Sequence, residues 1–466
     1  MKILQISAGP NPDPATSNSY LDAIGPGLAD LGHEITTLHM AIPGTLTQKT
    51  HLSEKLIISP LGNRIREIEV IKSGVYAGRP PGSGSGTRTP LRDIFPERQL
   101  KNTFDSILEQ SKPDIVHIQN LFGLPVRLVN ELKKRQIPVV LTLHDYTPIC
   151  PISNLFLPSG KNCMLNRDEL VCSFCCKKSK GYFQFVIEET LNSLMAKSSP
   201  KSMPWICLAR IRNAVASLFE ILHCLAPRKP QDYVVRFDAM VKTLRNVDCL
   251  HCISNVQAVR IQKATGLLDN LKILPLIPPG LTNPKIIEKG VVNGEKLNLC
   301  VLNVQMGRND KGYDFLKQAL DILESKRKDF SVEWYSEGVG SDCVQFRGKY
   351  MQADLDDIAA RSDYCIIPSL WMETLAFTGV EMLSRGVPLI CSRRAGVSEW
   401  IEDGQTGILF EPTTPTNLFD VLDSLIDQRN MVKIMRDKVA KAVKVKSYHQ
   451  HLRDFEALLF SCLNKN

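Results

Sequence analysis

Short apolar, β-branched runs alternate with stretches of helical hydrophobic spacing along nearly the whole chain. In the first half the runs fall at Lys2–Ser7, His33–Met40, Glu67–Ser73, Asp114–Asn120, Val139–His144, Val247–Ser254 and Leu271–Leu276. Strand-length runs separated by helical patterns predict βα units and a parallel sheet. Between about 275 and 295 the text turns to Pro275, Pro278, Pro279, Gly280, Pro284, Gly290 and Gly294, a linker composition. The alternation restarts at Leu297–Gln305, Ser331–Glu337, Val344–Gly348, Tyr364–Ser369, Pro388–Ser392 and Gly407–Glu411, which predicts a second α/β domain. From Pro415 to Asn466 the pattern is helical without a strand, and such a tail is expected to pack back across the interface. The expected organisation is a Rossmann-like domain over about 1–285, a second over about 286–430 and a helical tail over about 431–466.

Two stretches interrupt the first domain. Arg79-Pro-Pro-Gly-Ser-Gly-Ser-Gly-Thr87 is composed as a mobile loop, and about 150–230 reads as an insertion with cysteines, basic residues and an amphipathic helix.

Composition narrows the class. With 466 residues, 43% hydrophobic and 23% charged, the chain is expected to be an ordinary globular protein of two or three domains. Gly9 and Pro10 follow Ile3-Leu4-Gln5-Ile6 too soon for a leader peptide, and Ile206–Ala226, the most apolar stretch, carries Arg210, Arg212 and Glu220. A cytoplasmic protein is expected, with peripheral membrane contact as the sharper alternative. Fourteen cysteines then point to thiols or metal ligands more than to disulfides, and the formal charge of +8 favours anionic partners.

The most informative text is Pro368-Ser-Leu-Trp-Met-Glu373-Thr-Leu-Ala-Phe-Thr-Gly379-Val-Glu381, followed by a helix stop at Gly386. It runs from a strand end through a turn into a helix, where anionic ligands bind in open α/β sheets. Glu373 and Glu381 stand eight positions apart, ~12 Å on a helical rise. Carboxylates repel a diphosphate but accept hydrogen bonds from vicinal hydroxyls, which a sugar and a ribose both carry. Alone, such a pair is most simply two glutamates on a solvated helix.

Together with Ala395-Gly396-Val-Ser-Glu399 and Asp403-Gly404-x-x-Gly407, this stretch resembles the donor domain of family 4 glycosyltransferases of the GT-B fold. Lys2-Ile-Leu-Gln-Ile6, Gly32-His33-Glu34, Pro113-Asp114-Ile-Val-His117 and Thr142-Leu-His144-Asp145 extend the likeness to the first half. The resemblance implies that Glu373 faces the donor sugar and Glu381 the ribose, and that N–H groups of Leu375, Ala376 and Phe377 cradle the phosphates. Ala376 stands where the family often has glycine. The resemblance also implies that Arg308 and Lys311 neutralise the leaving diphosphate and that His117 touches the donor sugar. The donor would be a UDP- or GDP-sugar, with no cofactor or metal required, and the acceptor a glycan, a lipid-linked or a small molecule.

Other signals weigh less. Asp354-Leu-Asp356-Asp357 looks like a metal–nucleotide DxD but reads better as acids in a helix's first turn. Gly338-Val-Gly340 lacks the third glycine of a dinucleotide fingerprint. Cys150, Cys163, Cys172, Cys175 and Cys176 fit either buried thiols or a zinc or iron–sulfur site. Ile211, Val215, Leu218, Leu222 and Leu225 share one helix face near basic residues, so that helix either covers the domain or docks on a membrane. Retaining, metal-independent glycosyl transfer is the first reading. A non-catalytic, metal-containing nucleic-acid or membrane binding protein is the second, although nucleic acid is not the expected partner, and a GT-B sugar phosphorylase is the third.

Overall fold

The computed structural model describes residues 1–7, 19–43, 51–72, 90–96, 98–121, 124–157, 159–163, 169–176, 191, 194–195, 202–225, 229–290 and 296–464. The expected loop at Arg79–Thr87 and the turn after Ser7 lie outside the described residues.

Eight strands form the first sheet: β1 (Lys2–Ser7), β2 (Glu34–Pro43), β3 (His51–Ile58), β4 (Arg64–Lys72), β5 (Ile115–Ile118), β6 (Val139–Leu143), β7 (Cys249–Cys252) and β8 (Leu271–Ile273), in the order 3-4-2-1-5-6-7-8. All neighbours are parallel except β3, which pairs antiparallel with β4. β5, β6 and β7 are buried along their whole length. Covered on both faces, they read as continuous apolar runs. β3 escaped the sequence reading for the opposite reason: this edge strand is largely exposed, and its Lys55 pairs with Glu67 and Glu69 of β4 at 2.9 and 2.8 Å.

The second sheet holds β9 (Leu297–Leu302), β10 (Phe330–Tyr335), β11 (Val344–Phe346), β12 (Tyr364–Ile367), β13 (Leu389–Ser392) and β14 (Gly407–Phe410), all parallel, in the order 11-10-9-12-13-14. Strand order reverses between β1 and β5 in the first sheet and between β9 and β12 in the second, which opens a crevice at the carboxyl end of each.

The helices are α1 (Ser19–Asp30), α2 (Arg98–Ser111), α3 (Val126–Lys134), α4 (Glu169–Cys175), α5 (Met203–Leu225), α6 (Pro230–Asn246), α7 (Asn255–Thr265), α8 (Tyr313–Lys326), α9 (Leu355–Arg361), α10 (Phe377–Leu383), α11 (Pro415–Asp427), α12 (Asn430–Ala442) and α13 (Tyr448–Leu463). Local chemistry sets several ends. Ser254 Oγ accepts from Gln257 N–H at 3.1 Å to start α7, and Ser447 and Gln450 close a reciprocal cap on α13 at 2.9 and 3.2 Å. Asp356 and Asp357 do lie in the first turn of α9, with Asp356 held by Lys285 and Arg385 at 2.7 and 2.8 Å.

α13 returns to the first domain. Tyr20 meets His451 at 2.7 Å, His33 meets Glu456 at 2.8 Å, and the Phe455 ring lies 4.7 Å from that of His117. The linker is pinned to the second domain through Ile287 N–H to Arg385 O at 3.0 Å and Arg436 to Ile287 O at 2.7 Å.

Candidate active site

The two crevices share one cleft. Asn120, His144 and Asp145, just past β5 and β6, line it from the first domain, and Asn303, Ser369 and the 373–377 turn line it from the second. The turn is built by a parallel zipper: Gly396 N–H donates to Glu373 O at 2.9 Å and Val397 N–H to Leu375 O at 2.7 Å. A Cβ at Gly396 would lie 2.3 Å from Thr374 O, so only glycine allows this approach. Ala376 then takes a left-handed conformation, φ 78°, immediately before α10.

Glu373 therefore lies outside the helix. The distance derived from an eight-residue helical rise fails, because α10 starts only at Phe377 and the chain reverses locally at Ala376. Both carboxylates nevertheless line the cleft. Glu373, 6% exposed, accepts from Lys311 Nζ and from Ser369 Oγ. Glu381, 5% exposed, accepts from Gln352 Nε2 at 2.6 Å. Burial pushes the Glu381 carboxyl up to about 7, against the opposing effects of the Gln352 hydrogen bond and the Arg385 charge. Leu375, Ala376 and Phe377 line the cleft as well, at a helix start whose first N–H groups have no intrahelical acceptor.

Lys311 belongs to a tight turn whose Asp310 carbonyl accepts from Leu370 and Trp371 N–H at 3.0 and 3.1 Å. This brings its ammonium onto Glu373 and 5.3 Å from the Trp371 ring centre. Arg308, expected beside it, is not part of the cleft wall. It grips Asp310 with two parallel hydrogen bonds of 2.9 and 2.8 Å, and its side chain is half exposed.

His117 is placed elsewhere. It is fully buried on the sheet face covered by α13, not at the cleft. His251 Nε2 donates to Leu274 O at 2.7 Å, so its Nδ1 accepts from Thr142 Oγ1 at 3.0 Å, and Thr142 in turn accepts from His117 Nε2 at 2.9 Å. The far nitrogen, His117 Nδ1, has no hydrogen-bond partner among the described residues. Burial holds His117 well below the usual imidazole range. The histidine that reaches the cleft is His144, held neutral by burial at about 3. Its Nε2 lies 3.3 Å from Gln119 Oε1, and Thr374 donates to its carbonyl at 3.1 Å.

Sequence reasoning passed over Ser369, Gln352 and Asn120. The strand-end positions of Ser369 and Asn120 are the available signal; Gln352, which opens a one-turn 3-10 helix before α9, carries none.

Among the described residues the cysteines carry thiols rather than disulfides. Cys150, Cys163, Cys172, Cys175 and Cys176 gather against the first domain's core. Burial pushes Cys150 up to about 11 and Cys172 and Cys175 up to about 12, with the neighbouring sulfurs adding to it. Among the described residues no group of three or more His, Cys, Asp or Glu is disposed to hold a metal ion.

Two Rossmann-like domains with parallel sheets facing across a cleft define the GT-B architecture. Within it, residues 297–428 match the family described as Glycosyl transferases group 1. Among curated proteins, the chain is 29% identical over 140 residues to an uncharacterised 41.2 kDa protein in the cps region of Klebsiella pneumoniae, covering 28% of this chain and 38% of that one. It is 30% identical over 104 residues to a D-inositol 3-phosphate glycosyltransferase of Paenarthrobacter aurescens, covering 22% and 25%. The matched stretches thus span well under half of those relatives' lengths. Among solved structures, sucrose-phosphate synthase of Thermosynechococcus elongatus superposes over 100% of this chain and 99% of its own, with TM-score 0.59 at 12% identity. An Anabaena protein, HepE, in complex with UDP and glucose superposes over 99% and 100%, with TM-score 0.55 at 12% identity.

Proposed function

We propose that this chain is a family 4 type glycosyltransferase that moves a hexosyl group from a UDP- or GDP-sugar to an acceptor hydroxyl with retention, without a required metal or cofactor. The observation that carries the reading is the placement of two buried carboxylates, Glu373 and Glu381, on one interdomain cleft with a cation, Lys311, on the first of them. The group 1 match over 297–428 and the GT-B neighbour bound to UDP and glucose support it.

In this reading Glu381 accepts the ribose hydroxyls in place of Gln352, and Glu373 accepts hydroxyls of the donor sugar. Lys311 and the N–H groups at Leu375–Phe377 stabilise the diphosphate as charge builds on it, and the ammonium supplies positive charge that a metal ion supplies in other transferases. Arg308 joins them only by leaving Asp310. His144 takes the role first assigned to His117. With Nε2–H directed at Gln119, its Nδ1 is the acceptor left for a sugar hydroxyl, and being neutral it does not compete for the diphosphate. As the bond from the anomeric carbon to the diphosphate breaks, the departing phosphate oxygen takes the acceptor's proton. The acceptor oxygen then bonds the same face of the sugar, so the protein chiefly positions and stabilises.

Thermal-shift measurements with UDP, GDP and ADP test the reading, because a ligand that binds only the native state raises its melting point. A shift with UDP or GDP is expected. No shift with any of the three, together with tight salt-sensitive binding to DNA or RNA, overturns it in favour of a binding module.

A further inference from the structure

α5 presents apolar side chains outward. Met203, Ile211 and Leu218 are 74%, 50% and 54% exposed, and Cys207 and Ala214 are exposed between them. At about 100° per residue, positions 203, 207, 211, 214 and 218 fall within an arc of roughly 80°, forming one stripe roughly 22 Å long. Elsewhere in the fold, shorter helices turn such stripes inward: α8 buries Phe315, Leu316, Ala319, Leu320 and Leu323, and α13 buries Leu452, Phe455 and Leu459.

Charge decides what fits the stripe. Arg210, exposed, flanks it. Residues 196–230 carry Lys197, Lys201, Arg210, Arg212, Arg228 and Lys229 against a single acid, Glu220, in a chain whose whole formal charge is +8. A protein partner would need a matching acidic rim around an apolar groove. An anionic bilayer offers both features everywhere on its surface, and arginines beside the stripe can lay their stems on lipid while their heads reach phosphates. No described helix is long and apolar enough to cross a membrane, so α5 would lie in the interface.

The insertion that carries α5 leaves the sheet at the cleft rim. Its first residues follow His144 and Asp145, Tyr146 packs edge-on against Trp371 with ring centres 6.4 Å apart, and Asn162 donates to Leu370 O at 2.9 Å.

We propose that α5 is an interfacial docking helix that lays the Met203–Leu218 stripe into the headgroup region of an anionic membrane. Docking of this kind does not require that the cleft perform glycosyl transfer.

Sedimentation of the full chain with vesicles tests it. Binding is expected with an equal mixture of phosphatidylcholine and phosphatidylglycerol, and should be much weaker with phosphatidylcholine alone or at high salt. Ile211→Glu/Leu218→Glu should lower partitioning by about tenfold or more, because binding scales with buried apolar area. Arg210→Glu/Arg212→Glu should remove the preference for the anionic lipid. Unchanged thermal melting of the variants would show that they fold. Wild-type chain that ignores the mixed vesicles, or Ile211→Glu/Leu218→Glu that binds as well as wild type, overturns the proposal. A dimer of the wild type that the same double variant makes monomeric, with no vesicle binding, overturns it in favour of a second copy on the stripe.

Discussion

Glu381 is buried with one side-chain hydrogen bond, from Gln352, which does not offset its removal from water, so its carboxyl titrates near 7. In the unfolded chain it would titrate at about 4.3. Between those two values the native state holds the proton more tightly, so stability falls as pH rises through that window. Above 7 the full penalty, roughly 3–4 kcal/mol, is present. Glu381→Gln should therefore raise the melting temperature more at pH 8 than at pH 5, and a calorimetric pH series checks this. A ribose donating two hydrogen bonds prefers the carboxylate, so donor affinity of the wild type should improve through pH 7 and that of Glu381→Gln should not. The two glutamates also separate by ligand. Glu381→Ala should weaken free nucleoside diphosphate by roughly 1.5–3 kcal/mol, the scale of lost charged hydrogen bonds, whereas Glu373→Ala should spare it and lower turnover. Titration calorimetry with UDP or GDP, set beside steady-state rates, distinguishes them. Equal effects of both on the free nucleotide would refute the division of roles.

The element that delivers Lys311 depends on Gly312, which starts α8 at φ +85° and whose missing Cβ would lie 2.1 Å from Pro368 O. Gly312→Ala should cost roughly 1–3 kcal/mol from the backbone conformation alone, more if the β12 end must shift, as read by urea denaturation. By displacing Lys311 it should also lower turnover and weaken free nucleoside diphosphate, which carries in full the charge that develops on the leaving group. This junction was not legible in the sequence, because it depends on two backbones meeting 56 residues apart. Strands were legible where sheets bury both faces, as in β5 to β7, and illegible at exposed β3. The turn into α10 was located correctly, but its geometry was misjudged. Nothing in the residue order shows that the chain enters the left-handed region at Ala376 before the helix begins. His117 and His144 were both visible as strand-end histidines, and telling them apart required knowing which sheet face α13 covers.

At the scale of the whole molecule, two contacts tie the domains together beside those at the cleft rim, where Tyr146 meets Trp371, Asn162 meets Leu370 and Thr374 meets His144. In one, α13 inserts Phe455 over His117 and His251, at ring distances of 4.7 and 5.6 Å. Phe455→Ala should cost roughly 3–5 kcal/mol, and hydrogen exchange should show the loss in β5 to β7 although the residue lies in the tail. In the other, Glu399 of the second domain reaches the start of α7 in the first. It accepts from Asn255 N–H at 3.0 Å, Asn255 Nδ2 at 2.8 Å and Val256 N–H. A carboxylate at a helix N-terminus is favoured by the unsatisfied N–H groups and by the dipole, and here it also bridges the two domains. Because Glu399 is exposed, its contribution to global stability is expected to be small. Its effect should fall on the relative placement of Glu373 and His144, which belong to different domains. Glu399→Ala should thus leave the melting temperature nearly unchanged, enlarge the radius of gyration measured by X-ray scattering, and lower kcat/KM by up to about tenfold, the equivalent of ~1.4 kcal/mol. Glu399→Gln keeps an acceptor oxygen without the charge and should fall between the two. If the alanine variant scatters and turns over like the wild type, the contact does not set the geometry of the cleft, and α13 with the cleft-rim contacts at Trp371, Leu370 and Thr374 fixes the domains without it.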